Sequence, residues 1–403
     1  MFTRKLVGKF YGPIIVFCLA IASEAQTFTT LVSFNGTDGQ SPYFESLVQG
    51  PNGNLYGTTL SGGADGYGTV IEVTPAGKLT TYSPCSVANC PNGLMFGGLA
   101  LGANGNFYGT TNFGGSNGGG TVFEISATGT VTTLYNFCSQ TNCTDGGYPY
   151  AGLVQGKDGN FYGTTSSGGS AQSGTVFKVT PTGTLTVLHS FCSKADCTDG
   201  AMVYGALIQA SDGNFYGTTA FGGADNFGTV FKVSSEGKLT TLHTFKYTDG
   251  ANPTAGLVQA NDGKFYGVAN SGGNTNSGTF FKITEAGAFT TLYNFCSKQY
   301  CTDGSLPCAT LMQGSNGNLY GTTSLGGADY LGSVFEITTA GGLTTLHSFK
   351  GKDGKFPYGG LVQTSNGDLY GVTYEGGSSG GVFGYGTVFK LTLPSTDEAE
   401  STH

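Results

Sequence analysis

The sequence predicts an all-β fold, a seven-bladed β-propeller with four antiparallel strands in each blade. The first observation is one motif that recurs seven times, in its fullest form Asp-Gly-Asn-Phe-Tyr-Gly-Thr-Thr at residues 158–165. The second is its period of 50 to 54 residues, which is typical of repeat architectures. The third is that each unit contains four strand-like segments. The tyrosines of the motif mark the units: Tyr56, Tyr108, Tyr162, Tyr216, Tyr266, Tyr320 and Tyr370.

The third unit, residues 151–191, shows the four segments most clearly. They are rich in β-branched and aromatic residues, and Asp-Gly, Gly-Gly and Pro-x-Gly sequences that favour turns separate them. None has helical spacing. Apolar residues stand side by side in several segments, which indicates sheets covered on both faces, as in a ring of stacked blades. The predicted strands are 152–155, 160–165, 175–179 and 185–191.

The two ends of the repeat array complement each other. Residues 27–34 resemble a fourth strand and stand alone before the first full unit. The last unit ends at its third strand, residues 387–391, and has no fourth. We therefore expect the N-terminal strand to complete the last blade and to close residues 26–393 into a single domain. An open solenoid is the alternative, but closure removes exposed sheet edges and explains the paired ends.

The repeat resembles the GloVer tandem-repeat family. The resemblance is carried by four blocks in fixed order over residues 27–393: Gly-Leu-Val-Gln, Asp-Gly-Asn-Phe-Tyr-Gly-Thr-Thr, Gly-Gly-x4-Gly-Thr-Val-Phe-Lys and Leu-Thr-Thr-Leu-His-Ser-Phe. It implies an exported bacterial protein and assigns no molecular activity. Members often carry a C-terminal sorting or anchoring segment. Residues 394–403 are instead a short polar tail, so we expect a released, soluble protein.

Residues 1–25 have the pattern of a signal peptide. Three basic residues precede an apolar run at 14–22 that is too short to span a bilayer, and small residues follow it. Cys18 leaves a lipoprotein as the alternative, although the bulky Phe17 fits a lipid-attachment motif poorly. Export to the periplasm or the medium is expected, with no transmembrane segment in the mature chain.

Charge and composition narrow the class of partner. Removing residues 1–25 leaves 14 basic and 24 acidic residues with no Lys/Arg cluster, so nucleic-acid binding is not expected. The chain offers no phosphate loop, no Gly-x-Ser-x-Gly elbow and no histidine cluster, so we predict no cofactor and no metal. A monomer is expected.

The cysteines favour disulfides. Eight of the ten form four C-x4-C units, which in an oxidising compartment are most simply local disulfides. A zinc site would need two such units brought together, but the repeat separates them. Cys308 is left over and is expected to be a free thiol. The predicted disulfides are Cys85–Cys90, Cys138–Cys143, Cys192–Cys197 and Cys296–Cys301.

Candidate ligand-binding residues lie on one face. Loops of an up-and-down blade alternate between its two ends, so the Gly-Gly loops share a face with the connections between fourth and first strands. This loop face carries the disulfides and most of the variation between repeats, and its aromatic and acidic residues suit carbohydrate recognition. The alternative is that the aromatics pack under their own loops. The candidates are Asp65, Tyr67, Phe113, Phe221, Asp225, Phe227, Asp329, Tyr330, Phe383 and Tyr385.

An Asp-Gly pair ends most of these connections. Its carboxylates could ring the mouth of the central channel and bind a cation or sugar hydroxyls; the alternative is an ordinary turn. The glutamine that ends most first strands is interpreted as structural, bonding backbone groups near the axis. The six predicted channel-mouth acids are Asp38, Asp145, Asp199, Asp249, Asp303 and Asp353.

The function predicted is a secreted binding module for polysaccharide or another extracellular partner. One alternative is a carbohydrate-active enzyme, a lyase or glycosidase that uses loop-face carboxylates; another is a passive structural protein. No catalytic residue is proposed. His189, His243 and His347 share one slot that holds Val32 in another unit, so that slot is interpreted as packing or surface.

Overall fold

The computed structural model describes residues 26–43, 46–83, 94–95, 97–126, 129–380 and 383–394, and these form seven antiparallel sheets of four or five strands. Each blade runs outward from a short innermost strand to a long outermost one, as predicted for a seven-bladed propeller. The described residues contain no α-helix, only three short 3-10 helices. The predicted signal peptide and the end of the polar tail, residues 1–25 and 395–403, lie outside the described residues.

The strands follow the predicted order in every unit. The innermost strands are Val48–Gln49, Ala100–Leu101, Val154–Gln155, Ile208–Gln209, Val258–Gln259, Met312–Gln313 and Val362–Gln363. The second strands are Leu55–Thr58, Phe107–Phe113, Phe161–Thr165, Phe215–Thr219, Phe265–Ala269, Leu319–Leu325 and Leu369–Thr373. The third strands are Val70–Val73, Thr121–Ile125, Thr175–Val179, Thr229–Val233, Thr279–Ile283, Ser333–Ile337 and Thr387–Thr392. The outermost strands are Thr27–Ser33, Leu79–Tyr82, Val131–Asn136, Leu185–Ser190, Leu239–Thr244, Phe289–Asn294 and Leu343–Ser348.

Five short elements lie in the connections between blades. Two are strands that add a fifth member to blades 2 and 6, Leu94–Met95 and Ser305–Pro307. Three are 3-10 helices that end at a cysteine: Thr141–Cys143, Ala195–Cys197 and Gln299–Cys301.

The N-terminal strand closes the ring, as predicted. Thr27–Ser33 pairs antiparallel with Thr387–Thr392 and forms the outer edge of blade 7. Phe28 also stacks on His347 of blade 6, with ring centroids 3.6 Å apart. The two ends of the chain therefore share one sheet, and the strand that joins them also contacts the neighbouring blade.

The tyrosine of the repeat packs blade against blade. Tyr162 is buried, and its ring lies 3.9 Å from that of Phe215 at the start of the next blade's second strand. The pairs Tyr108–Phe161 and Tyr216–Phe265 have the same geometry, at 4.0 Å. The glycine after the tyrosine leaves room for a ring of its own blade, because a Cβ on Gly163 would stand 2.6 Å from the ring of Phe177 on the adjacent third strand.

Glutamines of the innermost strands tie the blades together near the axis. The Gln209 side-chain oxygen accepts a hydrogen bond of 2.8 Å from the backbone N–H of Lys157, in the first turn of the preceding blade. Where Leu101 replaces the glutamine, the opposing turn residue is Pro51, which has no N–H to donate. The backbone N–H donor and the glutamine acceptor are thus absent together, so neither is left without its partner. The equivalent acceptors are Gln155, Gln259, Gln313 and Gln363.

One carboxylate in each of six blades accepts the tyrosine hydroxyl, but two different positions supply it. In blades 3 to 5 it is the turn aspartate, as in the 2.8 Å bond from Tyr162 to Asp158, and the third strand carries a lysine, here Lys178. In blades 1, 2 and 6 the turn carries asparagine and the third strand supplies glutamate, as in the bond from Tyr56 to Glu72. The acidic residue therefore moves from the turn to the third strand, and the tyrosine hydroxyl keeps a carboxylate acceptor in both arrangements.

This exchange predicts compensation in blade 3. Asp158→Asn should lower the free energy of unfolding by about 1 kcal/mol, since Tyr162 loses its charged acceptor at a half-exposed site. Adding Lys178→Glu should restore most of that loss, because it rebuilds the arrangement of blade 1. Chemical denaturation of the single and double variants measures both values. A double variant no more stable than Asp158→Asn would contradict the compensation.

The same pair predicts a pH dependence. Burial disfavours the charged form of Asp158, but hydrogen bonds from Asn160 and Tyr162 outweigh it and hold the pKa of the carboxyl below its usual range. The stabilisation from Asp158 is therefore present above its unfolded pKa near ~4 and is lost as the pH falls through the lower, folded value. The stability difference between wild type and Asp158→Asn should shrink in that acid window and stay constant at neutral pH.

Closure predicts the effect of Phe28. Phe28→Ala should cost about 2 kcal/mol, because the half-buried ring contacts His347 and Phe389. Phe28→Leu is the matched control and should cost less, since leucine occupies this position in Leu185 and Leu343. Thermal unfolding of the three proteins tests this, and equal melting temperatures would contradict a closing role for this strand.

Candidate functional site

Three of the described connections between blades are built on a fully buried aspartate. Asp145 is fully buried, and its carboxylate accepts bonds from the Tyr135 hydroxyl at 2.8 Å and from the Ser139 N–H and hydroxyl. Asp199 and Asp303 are also fully buried and are held in the same way by the serine and the outermost strand. Each carboxylate thus satisfies the backbone of its own turn.

The acids predicted at the channel mouth have described partners in the connections and in outermost strands. The partners of Asp145, Asp199 and Asp303 belong to outermost strands, which places the carboxylates towards the perimeter. The carboxylates of Asp249 and Asp353 lie 3.2 Å and 2.8 Å from Nε2 of His243 and His347, which are also on outermost strands. Asp38 instead accepts from the N–H of Asn35 at 2.9 Å. The described contacts match the alternative of a structural turn, because the Asp-Gly signature alone does not indicate which group the carboxylate meets.

The histidine slot has a role that sequence reasoning missed. His189, His243 and His347 each place Nε2 within 3.2 Å of the aspartate in the following connection. Tyr135 and Tyr293 occupy the same slot and donate to Asp145 and Asp303. The sequence did contain an indication of this role: the slot holds either His or Tyr in most units, both can donate a hydrogen bond to a carboxylate, and an aspartate follows in the connection.

Disulfides brace three of the described connections against the next blade. Cys138–Cys143, Cys192–Cys197 and Cys296–Cys301 are formed as predicted, and Cys308 is free and buried. Cys85 and Cys90 lie outside the described residues. The carbonyl of Cys143 accepts a 3.0 Å bond from Gly169 in the Gly-Gly loop of blade 3, and Cys197 and Cys301 repeat this contact. The clipped loops therefore hold neighbouring loops in place.

Each connection also bridges two blades. The residue three positions after the aspartate has a left-handed backbone, as in Met202 with φ +55°. Its N–H bonds to Ser173 in the preceding blade, while Ala201 pairs with Phe221 in its own. The chain is thus fixed on both sides just before it reaches the axis.

The residue five positions after the aspartate lies at the mouth of the central channel. Tyr43 and Tyr358 are 5.1 Å apart between ring centroids, and Tyr150 and Tyr204 are 5.0 Å apart. Tyr150 and Cys308 also interact electrostatically with Tyr43, although they belong to other blades. Side chains from non-adjacent blades meet only near the axis. This mouth ring consists of Tyr43, Tyr150, Tyr204, Thr254, Cys308 and Tyr358; its seventh place, Phe96, lies outside the described residues.

The mouth ring is a source of neutral hydroxyl groups. Burial, reinforced by Tyr358 and other neighbours, raises the pKa of Tyr43. Burial also raises the pKa of the Cys308 thiol to about 12. Both groups therefore stay protonated at neutral pH. The Tyr43 phenol can donate a hydrogen bond, and the Cys308 thiol is weakly reactive because little of it is thiolate. Tyr374 adds a third ring beside Tyr43 and Tyr358, at 5.1 Å and 5.6 Å.

The predicted aromatic residues divide into two groups. Phe113, Phe221, Tyr330 and Phe383 are exposed, by 37% to 69% of their surface. Tyr67 is half-buried. The remaining two match the alternative of packing under their own loops, since they lie against buried clusters: Phe227 and Tyr385.

The predicted acids of the loop face are all exposed. Asp65, Asp225 and Asp329 lie in the Gly-Gly loops of blades 1, 4 and 6, so no two of them belong to adjacent blades. The carboxylate of Asp65 accepts a hydrogen bond from Ser83 at 2.8 Å. Within the described residues no group of three or more His, Cys, Asp or Glu side chains is placed to hold a metal ion.

Two cavities accompany these features. A pocket of about 330 Å³ opens on the loop face beside Thr254 and Cys308 of the mouth ring. A larger groove of about 630 Å³ lies on the opposite face between blades 6 and 7, lined by turn residues such as Asn316 and Asn366. The sequence reasoning proposed neither.

The repeat sequence matches a known protein family. A family model for the Gloeobacter/Verrucomicrobia repeat matches residues 8–198, 138–313 and 297–403. The chain belongs to this repeat family. This confirms the resemblance inferred from the four sequence blocks. No curated protein sequence matches the chain.

Solved structures similar to this repeat-family member are propellers of low sequence identity. A streptogramin B lyase has a TM-score of 0.61 at 16% identity, over 91% of this chain and 98% of its own. A catalytically inactive virginiamycin B lyase from Staphylococcus aureus has a TM-score of 0.61 at 14%, over 92% and 100%. The extracellular domain of a protein assigned to a hybrid two component system from B. thetaiotaomicron has a TM-score of 0.56 at 15%, over 92% and 42%. These similarities show the fold alone.

The three disulfides among the described residues of this repeat-family member fit an extracellular or periplasmic protein. No helix in the described part of the chain is long and apolar enough to cross a membrane.

The cysteine arrangement predicts a thiol count. Exported protein that is denatured without reductant should give one free thiol per chain, from Cys308, and almost none when native, because that thiol is buried. Cys296→Ser with Cys301→Ser should cost at most ~2 kcal/mol, since the closed loop is short. Thiol titration and thermal unfolding measure both effects. More than one free thiol in the denatured protein would contradict the pairing.

Proposed function

We propose that this repeat-family propeller is an exported binding module whose loop face takes a polysaccharide. The observation that carries the proposal is the cluster of tyrosines at the channel mouth, surrounded by exposed aromatic side chains such as Phe113 and Phe221. Exposed rings held on a rigid scaffold suit the recognition of an external partner. Export through residues 1–25 is part of this proposal.

The chemistry of the face suits a hydroxyl-rich chain. Exposed rings pack against the C–H faces of sugar residues, and protonated phenols such as Tyr43 donate hydrogen bonds to their oxygens. Asp65, Asp225 and Asp329 accept from sugar hydroxyls. The buried aspartates and disulfides hold the connections in one shape before binding, which lowers the entropy lost on association.

An enzymatic function receives less support from the same residues. Hydrolysis of a glycoside by two carboxyl groups needs them roughly 5–10 Å apart. The exposed acids of the Gly-Gly loops belong to non-adjacent blades, and Asp145, Asp199 and Asp303 are committed to their turns. Glu375, the other loop-face acid of blade 7, is paired with Lys355 at 2.9 Å. Binding without cleavage therefore fits the arrangement better.

Retention on polysaccharides tests the proposal. Wild-type protein should be retarded in affinity electrophoresis by at least one member of a panel of neutral and acidic polysaccharides. Phe113→Ala with Phe221→Ala should weaken that retention about tenfold, since it removes two exposed stacking groups without touching the core. The matched control is Lys157→Ala with Lys238→Ala, which changes exposed residues on the opposite face.

Three outcomes separate the alternatives. Retention that the aromatic substitutions weaken, without release of reducing sugar or unsaturated products, supports the binding module. Release of such products would replace it with an enzyme. Retention by no polysaccharide would contradict the proposal and leave a protein partner or a passive structural function.

A further inference from the structure

The mouth ring is not symmetric. Tyrosine occupies its places in blades 1, 3, 4 and 7, but the adjacent blades 5 and 6 carry the small residues Thr254 and Cys308. The pocket of about 330 Å³ opens at this position, where two rings are missing. A break in the symmetry of a repeat marks a place where one blade can have a function that the other blades lack.

The pocket is lined by both apolar and polar residues. Leu306, Leu325 and Phe356 are the apolar ones, and Leu325 is 36% exposed. Thr254, Asn270, Ser324 and Tyr358 line it with hydroxyl and amide groups. No charged side chain is among the lining residues. These lining residues are complementary to an uncharged molecule that has both apolar C–H surface and several hydroxyl groups.

Thr254 supplies the second observation. Its hydroxyl oxygen is buried and has no hydrogen-bond partner within the described part of the chain. A buried polar atom without a partner costs free energy, and the arrangement is rare in folded proteins. The atom has almost no exposed surface, so a ligand hydroxyl would reach it only after the Thr254 side chain turns towards the pocket; a polar occupant would then supply the missing partner.

The walls of the pocket are fixed before any ligand enters. The Ser324 hydroxyl donates to the Leu306 carbonyl at 2.9 Å, and Asn270 donates to the carbonyl of Pro307 at 3.4 Å. The disulfide Cys296–Cys301 lies at the start of the same connection. Cys308, with 4% of its surface exposed, lies behind them. A preformed pocket of this kind binds without paying the entropy of ordering its own loops.

We propose that this pocket binds a single neutral sugar residue, at the end or along the chain of the polysaccharide that the loop face takes. This inference rests on the proposed function and names the subsite within it. The sugar ring packs its C–H face on Phe356 and Leu325 and hydrogen-bonds through its hydroxyls to Thr254 and Asn270. The volume is at the lower end of the range of ~300–1,000 Å³ usual for small-molecule sites, which limits it to one or two rings. Acidic sugars are disfavoured, because no cationic side chain lines the pocket.

Filling the gap with a residue that the other blades already use tests the proposal. Isothermal titration uses the methyl glycosides of glucose, galactose, mannose and N-acetylglucosamine, with methyl glucuronide as the acidic probe. At least one neutral glycoside should bind wild type and bind Thr254→Tyr at least tenfold more weakly. Thr254→Val, which keeps the volume and removes the hydroxyl, should weaken it severalfold. Lys238→Ala, on the opposite face, is the control.

The labelling rate of Cys308 gives a second readout, independent of whether Thr254→Tyr folds well. Native Cys308 reacts only slowly because its thiol is buried, and over a labelling time of many hours the same glycoside should slow its alkylation further, since the thiol lines the pocket. Unchanged affinity in Thr254→Tyr, unchanged labelling, or no binding of any neutral glycoside to wild type would each overturn the proposal. If polysaccharide is still retained in that case, the loop-face proposal stands and only the subsite is wrong; if none is retained, the proposed function fails as well.

Discussion

Packing of each blade against the next is the interaction on which the rest of this structure depends. The second strands are buried on both faces, so no blade can cover its apolar side chains alone. Tyr162 on Phe215 and Gln209 on the turn at Lys157 show how one blade is seated on another. Such an array has two bare ends unless it closes. The strand Thr27–Ser33 removes them by joining the last blade and packing Phe28 against the blade before it.

The site inherits its rigidity from that ring. Each of the six connections whose aspartate is described leaves an outermost strand, is anchored by that aspartate, such as the buried Asp145, and bonds to loops on both sides before it reaches the axis. These anchors differ little from blade to blade, whereas the side chain that the connection places at the axis is tyrosine, threonine or cysteine. The six described connections thus present different groups around one opening, which is how a repeat protein acquires a single specific site.

The sequence was sufficient to predict the ring of blades but not the side chains that meet at its centre. Strand order, closure by residues 27–34 and the packing role of Tyr162 follow from period, turn chemistry and paired ends, which are local properties. The place of Asp145 does not, because an Asp-Gly turn leaves the partner of the carboxylate undetermined. The mouth ring could have been found from its constant offset of five residues after the aspartate, from Tyr43 to Tyr358, and from the break at Thr254 and Cys308. Which cavity that break opens depends on side chains from three blades and needs the structure.

The proposed binding takes place on the loop face around the channel mouth. Hydrogen–deuterium exchange of the exported protein, with and without the polysaccharide that retains it, tests this most directly. Exchange should become slower in the connections at residues 249–254, 303–308 and 353–358 and should not change in the opposite-face turns at residues 158–159 and 212–213. Slower exchange confined to those turns, or no change in the connections while the polysaccharide is bound, would contradict it.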